Sequence, residues 1–393
     1  MHLSEDQGEA LGKVLQNIEN GVRETTLTGP AGSGKTTLTS EIVHALENRA
    51  VLAAPTGKAA VVLRDKVGRQ ASTIHRLLYG GAFFDKEAGK LKFRNRGQPC
   101  NNGDVLIVDE SSMVGQKLYH DIFEELPPRA QVLWVGDKEQ LEPVNDTWGP
   151  DLLNPTAALT KVHRQAEKSI IIRYATAVRE GRSKQWETSY KNDDSSLALW
   201  DGIDSAIEWL VDARLHQEDA TLLTFTHDTR KYVNTQVRDR LGLLKNDSDF
   251  CVGEHVVIRS NNHSVGLMNG EVVTISAVEK TSFRDKLVYE MTFNELPGVP
   301  VLVMQEHIEL SREGFGIWSQ ECGLPKGTKD KFMLVHYGQC ITVHSSQGSQ
   351  WKKVGFINDN AYRKMSRQSG EAGRRFLYTA VTRAQENLAV FME

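Results

Sequence analysis

The sequence predicts an α/β protein in which short buried strands of a parallel sheet alternate with helices. Three stretches carry that reading. Glu24–Thr28 reads as a strand, Gly29-Pro30-Ala31-Gly32-Ser33-Gly34-Lys35-Thr36 as a loop, and Thr37–Leu46 as a helix. Val105–Val108 is an apolar run that ends in Asp109 and Glu110, which suits a strand buried on both faces. Val132–Val135 is a second such run and ends in Gly136 and Asp137.

The loop matches G-x-x-x-x-G-K-[ST] at every fixed position, the pattern that cradles phosphates. Gly29, Gly32 and Gly34 let successive backbone N–H groups curl around an anion without a Cβ in the way. Lys35 supplies a point charge for the β- and γ-phosphates, and the Thr36 hydroxyl reaches Mg²⁺. Thr37 opens the helix that follows. The expected ligands are therefore ATP and Mg²⁺. In open α/β sheets ligands gather outside the C-terminal ends of strands, which places Asp109 on the metal and Glu110 on the attacking water. A phosphate-loop kinase has less need of the second acid. Gln140, just past the third strand, suits sensing of a γ-phosphate and orientation of water.

Composition bounds the remainder. A chain of 393 residues has room for about two or three domains. No apolar run reaches the ~18 residues of a membrane-spanning helix, and Met1–Asp6 lacks the features of a signal peptide. Cys100, Cys251, Cys322 and Cys340 are too scattered for a metal site and read as reduced thiols of a cytoplasmic protein. A net charge of −4 gives no global attraction for nucleic acid, so any such binding needs a local channel.

The order of the motifs resembles a known family. The phosphate loop, Ala54-Pro55-Thr56-Gly57-Lys58-Ala59-Ala60, Ser72-Thr73-Ile74-His75-Arg76-Leu77, Val108-Asp109-Glu110 and Gly136-Asp137-x-x-Gln140-Leu141 resemble the superfamily 1 helicases, most of all the RecD-like branch that includes the phage Dda helicases. Leu334–Ser349 and Phe376–Ala384 resemble that family's fifth and sixth motifs. Glu142 and Cys340 depart from its usual residues, and the stretch from about Lys245 to Lys331 matches loosely.

The resemblance implies two RecA-like P-loop core domains, with a short β-hairpin inserted in the first and an SH3-like β-barrel in the second. The expected division is 1–78 and 101–158 for the first core, 79–100 for the hairpin, 159–250 and 332–393 for the second core, and 251–331 for the barrel. It also implies roles. Gln7 would read the adenine edge, since an amide donates and accepts at once. Arg164 and Arg383 would reach the γ-phosphate from the second core and clamp ATP between the domains. The DNA backbone would be held by Thr56, Lys58, Thr73 and His75 in one core and by Thr342 and His344 in the other.

The hairpin is also legible in the residues. Lys90, Lys92, Arg94 and Arg96 alternate with Leu91, Phe93 and Asn95, a strand period, and a turn near Asp85–Gly89 would pair them with Ala82-Phe83-Phe84. Phe83, Phe84 or Phe93 could stack on the last base pair as a separation pin; a basic edge hairpin that deters aggregation is the simpler alternative. Further on, Ala220–Thr226 reads as a strand and Asp228–Leu241 as a helix. Short β-like runs then follow at Glu254–Arg259, Gly270–Ile275, Leu287–Thr292 and Val299–Met304, with turns at Asn269-Gly270 and Pro297-Gly298. Asp193-Asp194 reads as a solvated turn.

The expected function is an ATP- and Mg²⁺-dependent helicase that moves on single-stranded DNA, 5′ to 3′, and opens ss/ds junctions. It is expected to act as a monomer away from membranes, with a single-strand-binding or replication protein as a candidate partner. A translocase that displaces bound proteins without opening duplexes is the alternative. Nothing in the residues reads a 2′-hydroxyl, so RNA stays open as a track.

Overall fold

The computed structural model describes residues 3–85, 90–95, 100–143, 146–162, 168–186, 188–244, 250–259, 267, 269–283, 286–304 and 332–392, with backbone alone at 79–85, 90–95, 283, 286–287 and 304. The chain forms two compact units. The first comprises Met1–Trp186, Asn192–Ser195 and Arg374–Thr382; the second comprises Glu187–Lys191, Ser196–Gly373 and Arg383–Glu393.

The first unit contains strands β1 (Glu24–Thr28), β2 (Ala50–Ala54), β3 (Ala71–Thr73), β4 (Tyr79–Asp85), β5 (Lys90–Asn95), β6 (Val105–Val108), β7 (Gln131–Gly136) and β8 (Ala157–Ala158). Six of them form one sheet in the order β3-β2-β6-β7-β1-β8, parallel throughout. Both faces are covered. On β6, Val105 and Ile107 pack into one apolar cluster with Val14, Leu38 and Ile42. Leu106 and Val108 pack into another with Val114 and Ile122. Strand side chains alternate between faces, so an uninterrupted apolar run is what a doubly covered strand requires. Each such side chain removed from water contributes about 1.5–3 kcal/mol, which fixes where β6 and β7 end and therefore where their loops begin.

Helix Glu5–Glu19 buries Gln7, Ala10, Val14 and Ile18 on one face. Helix Lys35–Leu46 follows the phosphate loop, as expected from the sequence. Strands β4 and β5 pair antiparallel with Ala82↔Phe93, Phe83↔Lys92 and Phe84↔Leu91, which is the expected hairpin pairing. The turn expected near Asp85–Gly89 falls at residues 86–89, which lie outside the described residues.

The second unit contains β9 (Tyr190–Lys191), β10 (Ser196–Asp201), β11 (Ala220–Thr224), β12 (His255–Ile258), β13 (Val272–Phe283), β14 (Lys286–Phe293), β15 (Leu296–Met304), β16 (Val335–Tyr337), β17 (Cys340–Thr342), β18 (Trp351–Asn358) and β19 (Ala384–Met392). One sheet runs β17-β11-β18-β19-β10-β9, parallel except for β9. Helix Ile203–Leu215 and helix His227–Arg240 cover it through Ala206, Ile207, Leu210, Val233 and Val237. The other sheet is antiparallel, in the order β15-β14-β13-β12-β16.

Two expectations in this second sheet need correction. β13 extends to Phe283, well beyond Ile275. Pro297 and Gly298 lie inside β15, and the turn is Asn294-Glu295. Glu295 fixes that turn, because its carboxylate accepts from the Thr274 N–H at 2.9 Å and the Thr274 hydroxyl at 3.2 Å. Among the described residues Pro297 has no partner in the neighbouring strand, so its missing N–H costs no ladder bond. The pairing runs Phe293↔Leu296 and then Met291↔Val301, so the intervening residues bulge, with Gly298 at φ +74°.

Candidate nucleotide and strand-binding site

β6, β7 and β1 are neighbours in a parallel sheet, so the three loops that leave their C-terminal ends emerge side by side. Those loops carry Lys35 and Thr36, Asp109 and Glu110, and Gln140. The arrangement follows from topology before any side chain is considered.

In the phosphate loop Gly32 and Gly34 adopt φ of 78° and 81°, a conformation that only glycine enters cheaply. Gly29 is needed for space: a Cβ there would lie 2.6 Å from Ser33 Oγ and 2.9 Å from Leu159 Cβ. Lys35 folds over the loop and its Nζ donates to the carbonyls of Gly29 at 2.5 Å and Pro30 at 3.1 Å. No side chain caps helix Lys35–Leu46, so its first-turn amides, with Thr36 and Thr37 among them, suit an anion.

Gln7 is drawn to this loop. It is buried, and its Nε2 donates to the Gly34 carbonyl at 3.4 Å. Its Oε1 accepts from the Ser4 N–H at 3.1 Å, while its own N–H donates to Ser4 Oγ at 3.3 Å. This reciprocal capping box fixes the start of the helix. The spacing Ser4-x-x-Gln7 signals it, and sequence reasoning passed over it.

Asp109 follows β6, and one carboxylate oxygen accepts from the Glu110 N–H at 2.9 Å. Burial and the adjacent Glu110 carboxylate push its carboxyl up to about 6, against the opposing pull of that hydrogen bond and of the Lys35 and Lys66 ammonium groups. The Lys35 charge thus acts on Asp109, as a shared site requires. Glu110 sits in the left-handed region at φ 51° without being glycine, a strain commonly held at functional positions. Thr36 and Asp109 offer hard oxygen donors. Among the described residues no group of three or more His, Cys, Asp or Glu could hold a metal. Mg²⁺ is usually held by one or two protein oxygens together with phosphates and water.

After β7, the Asp137 carboxylate accepts from the Glu139 N–H at 3.0 Å and the Gln140 N–H donates to the Asp137 carbonyl at 3.1 Å. Gln140 is 5% exposed, and its Oε1 has no partner among the described residues. A buried amide oxygen left without a donor is costly, and it suits a water or ligand contact.

Residues 374–382 complete the first unit. Tyr378 accepts from the Ala31 N–H at 2.8 Å and donates to Asp137 Oδ2 at 2.7 Å. Thr379 Oγ1 accepts from the Leu141 N–H at 3.1 Å. Arg375 pairs with Glu142 and lies 4.7 Å from the Trp148 ring centroid. The departure at Glu142 thus has a partner in the same unit. Sequence reasoning singled out none of these contacts, because they join positions more than 200 residues apart and leave no periodic signal.

The expected strand-binding residues divide between the units. In the first, Thr56 Oγ1 accepts from the Ala59 N–H at 3.2 Å and Thr73 Oγ1 from the Arg76 N–H at 3.1 Å, each capping a helix. Lys58 is half-buried and His75 exposed. In the second, Thr342 Oγ1 accepts from the Ser345 N–H at 3.3 Å. His344 is held below its usual range by burial and by His227, so it is neutral at physiological pH. All three threonines share one local geometry, a hydroxyl at the start of a helical turn. Arg383 is buried in the second unit, where its Nη1 donates to the Ser349 carbonyl at 3.2 Å. Arg164 lies outside the described residues, as do the side chains of Phe83, Phe84 and Phe93.

Fold and site together define a nucleotide-binding protein of the P-loop class with two parallel-sheet units. Residues 2–197 match the family model described as an AAA domain, and residues 337–391 match the UvrD-like helicase C-terminal domain. The chain is 30% identical over 403 residues to the ATP-dependent RecD2 DNA helicase of Deinococcus radiodurans, covering 98% of this chain and 48% of that protein. It is 28% identical over 347 residues to the ATP-dependent DNA helicase dda of Enterobacteria phage T4, covering 80% of this chain and 74% of that one. The chain therefore spans about half the length of the Deinococcus relative. A solved structure of two coordinating Pif1 helicases at forked DNA shares the fold, with a TM-score of 0.56, 17% identity, and coverage of 99% of this chain and 92% of that chain. A Bacteroides Pif1 structure with ADP-AlF3 and ssDNA gives a TM-score of 0.53 at 18% identity, with coverage of 99% and 92%. The chain belongs to the superfamily 1 helicases of the RecD-like, Dda-like branch. Among the described residues no helix is long and apolar enough to cross a membrane.

Proposed function

We propose that this chain is an ATP-dependent DNA helicase that translocates 5′ to 3′ on single-stranded DNA and separates duplex strands at ss/ds junctions. The observation that carries the proposal is the convergence of the phosphate loop, the Asp109-Glu110 turn and the Gln140 turn at one edge of a parallel sheet. Two relatives named as ATP-dependent DNA helicases support it.

Gly29, Gly32, Gly34 and Thr37 line the phosphates, Lys35 pairs with their charge, and Gln7 reads the adenine edge. Thr36 and Asp109 would hold Mg²⁺, which when bound neutralises charge on the phosphates. Glu110 takes the proton of the attacking water, and Gln140 orients that water. Arg164 and Arg383 stabilise charge developing on the γ-phosphate; such an arginine is typically worth ~10³–10⁵ in rate. Thr56, Lys58, Thr73, His75, Thr342 and His344 hold the strand through its sugar–phosphate backbone. Hydrolysis then drives opening and closing of the cleft that moves the strand.

In this reading 1–78 and 101–158 form the first core, 79–100 the separation pin bearing Phe83, Phe84 and Phe93, 159–250 and 332–393 the second core, and 251–331 an SH3-like domain that braces strand or pin. The five-stranded antiparallel sheet supports the last assignment. The protein works as a monomer in a bacterial cytoplasm or a phage-infected host, with a single-strand-binding or replication protein as a candidate partner. The test is unwinding of 5′- and 3′-tailed duplexes beside ATP hydrolysis. Unwinding of the 5′-tailed substrate alone is expected. ATPase stimulated by single strands without unwinding would favour the protein-displacing translocase.

A further inference from the structure

We propose that Tyr378 is a positioning residue for ATP turnover: its hydroxyl ties the Ala31 amide of the phosphate loop to the Asp137 carboxylate and so holds that loop in register with the turn that carries Gln140. The inference rests on the reading of the Lys35, Glu110 and Gln140 loops as the hydrolytic site.

A phenolic hydroxyl has one proton to give and lone pairs to accept with. Here both capacities are used on backbone and charge, toward Ala31 at 2.8 Å and Asp137 at 2.7 Å. The bridge is dry, since Tyr378 is 2% exposed and Asp137 1%. Burial and the Asp137 carboxylate hold the phenol well above its usual range, so it keeps its proton as donor at neutral pH. Were Tyr378 only filling space, phenylalanine would do so equally well, and nothing would demand an oxygen with two partners.

Neighbouring residues grip the same turn. Arg375, Tyr378 and Thr379 stand at i, i+3 and i+4 on one helix face. Tyr378 holds the turn at Asp137, Thr379 holds it at Leu141, and Arg375 holds it at Glu142. Gln140 lies between those anchors. A second tie at Asp137, from the Glu139 N–H at 3.0 Å, keeps the turn folded without the phenol. Removing the hydroxyl therefore loosens register between the two loops more than it unfolds either.

The test is Tyr378→Phe in the full chain, beside wild type and Lys35→Ala. Steady-state ATPase is measured at saturating single-stranded DNA across ATP concentrations, with the Kd of a fluorescent ATP analogue and the melting temperature. We expect kcat to fall about ten-fold, the scale of one lost charge-assisted hydrogen bond, while the Kd changes less than about three-fold. Asp137→Asn should lower kcat similarly, and the double variant should be no worse than the poorer single, because both break one contact. A Tyr378→Phe enzyme with wild-type kcat would overturn the inference. So would a kcat loss matched by loss of folded protein, or additive effects in the double variant. If wild type and Lys35→Ala behave as a DNA-stimulated motor and its dead variant while Tyr378→Phe turns over normally, this inference alone falls. If wild type shows no such turnover, the reading of the site falls and the inference with it.

Discussion

Gly136 is where the geometry makes its sharpest demand. It closes β7, and its carbonyl accepts from the Gly29 N–H at 3.2 Å, so it touches the phosphate loop. A Cβ at this position would lie 2.5 Å from Ser111 Oγ and 3.3 Å from both Leu152 Cδ2 and the Ser112 nitrogen. The first contact is far inside van der Waals range, so Gly136→Ala must push Ser111 aside. Ser111 is fully buried and directly follows Glu110, whose backbone already holds φ 51°. Overpacking of this kind costs about 1–3 kcal/mol. At about 2–4 °C per kcal/mol for a unit of this size, the melting temperature should drop by roughly 2–12 °C. ATP hydrolysis should fall further than stability alone explains, because the displaced turn carries Glu110. Ser111 Oγ has no partner among the described residues, so Ser111→Ala alone should be tolerated, and combined with Gly136→Ala it should restore at least half of both losses. The assays are calorimetry and steady-state ATPase on the four proteins of the cycle. A Gly136→Ala protein that melts and turns over like wild type would show that the site has room for a Cβ, and a double variant no better than the single would show that Ser111 is not the obstacle.

Other consequences can be checked in the same way. Glu254 is fully buried and pairs with Arg238, whose guanidinium lies 3.8 Å from the Tyr337 ring centroid. Glu254→Ala strands that guanidinium without its carboxylate and should cost about 3–5 kcal/mol in urea unfolding; a loss below ~1 kcal/mol would contradict the buried-pair reading. Burial, with help from the Arg214 guanidinium, lowers His255 from 6.5 to about 3, so it folds neutral. Its contribution to stability is complete above pH 6.5 and is lost as pH falls from there toward 3, with a slope of up to about 1.4 kcal/mol per pH unit. His255→Gln should flatten that slope, and an unchanged pH profile would argue against it. Changing Phe83, Phe84 and Phe93 to Ala should impair unwinding more than strand-stimulated ATPase, since stacking is worth ~1–3 kcal/mol per base; equal loss of both would remove the pin.

Legibility in the sequence followed the range of the interactions. The phosphate loop could be read because Gly32 and Gly34 need positive φ and Lys35 needs a fixed distance from them, all within eight residues. β6 and β7 could be read because both faces are covered, which forces an unbroken apolar run. The β4–β5 pairing could be read because hairpin register is a local matter. Pro297-Gly298 misled because those residues usually punctuate chains, whereas here a bulge absorbs them and Glu295 makes the turn. Gln7 reads in the sequence as an adenine contact, and its hydrogen bonds also make it half of a capping box. Thr56, Thr73 and Thr342 act as local caps whatever else they hold. Tyr378, Asp137 and Glu142 could not be connected by pattern, because the helix that joins them lies more than 200 residues downstream.

An ATP-hydrolysing site built from the three loops and coupled to a DNA strand has one direct consequence. The measurement that tests it most directly is steady-state ATP hydrolysis with and without single-stranded DNA, for wild type and Lys35→Ala. Strong stimulation by the strand is expected in wild type, and its loss in the variant. Turnover indifferent to DNA, or undiminished without the Lys35 ammonium, would contradict it.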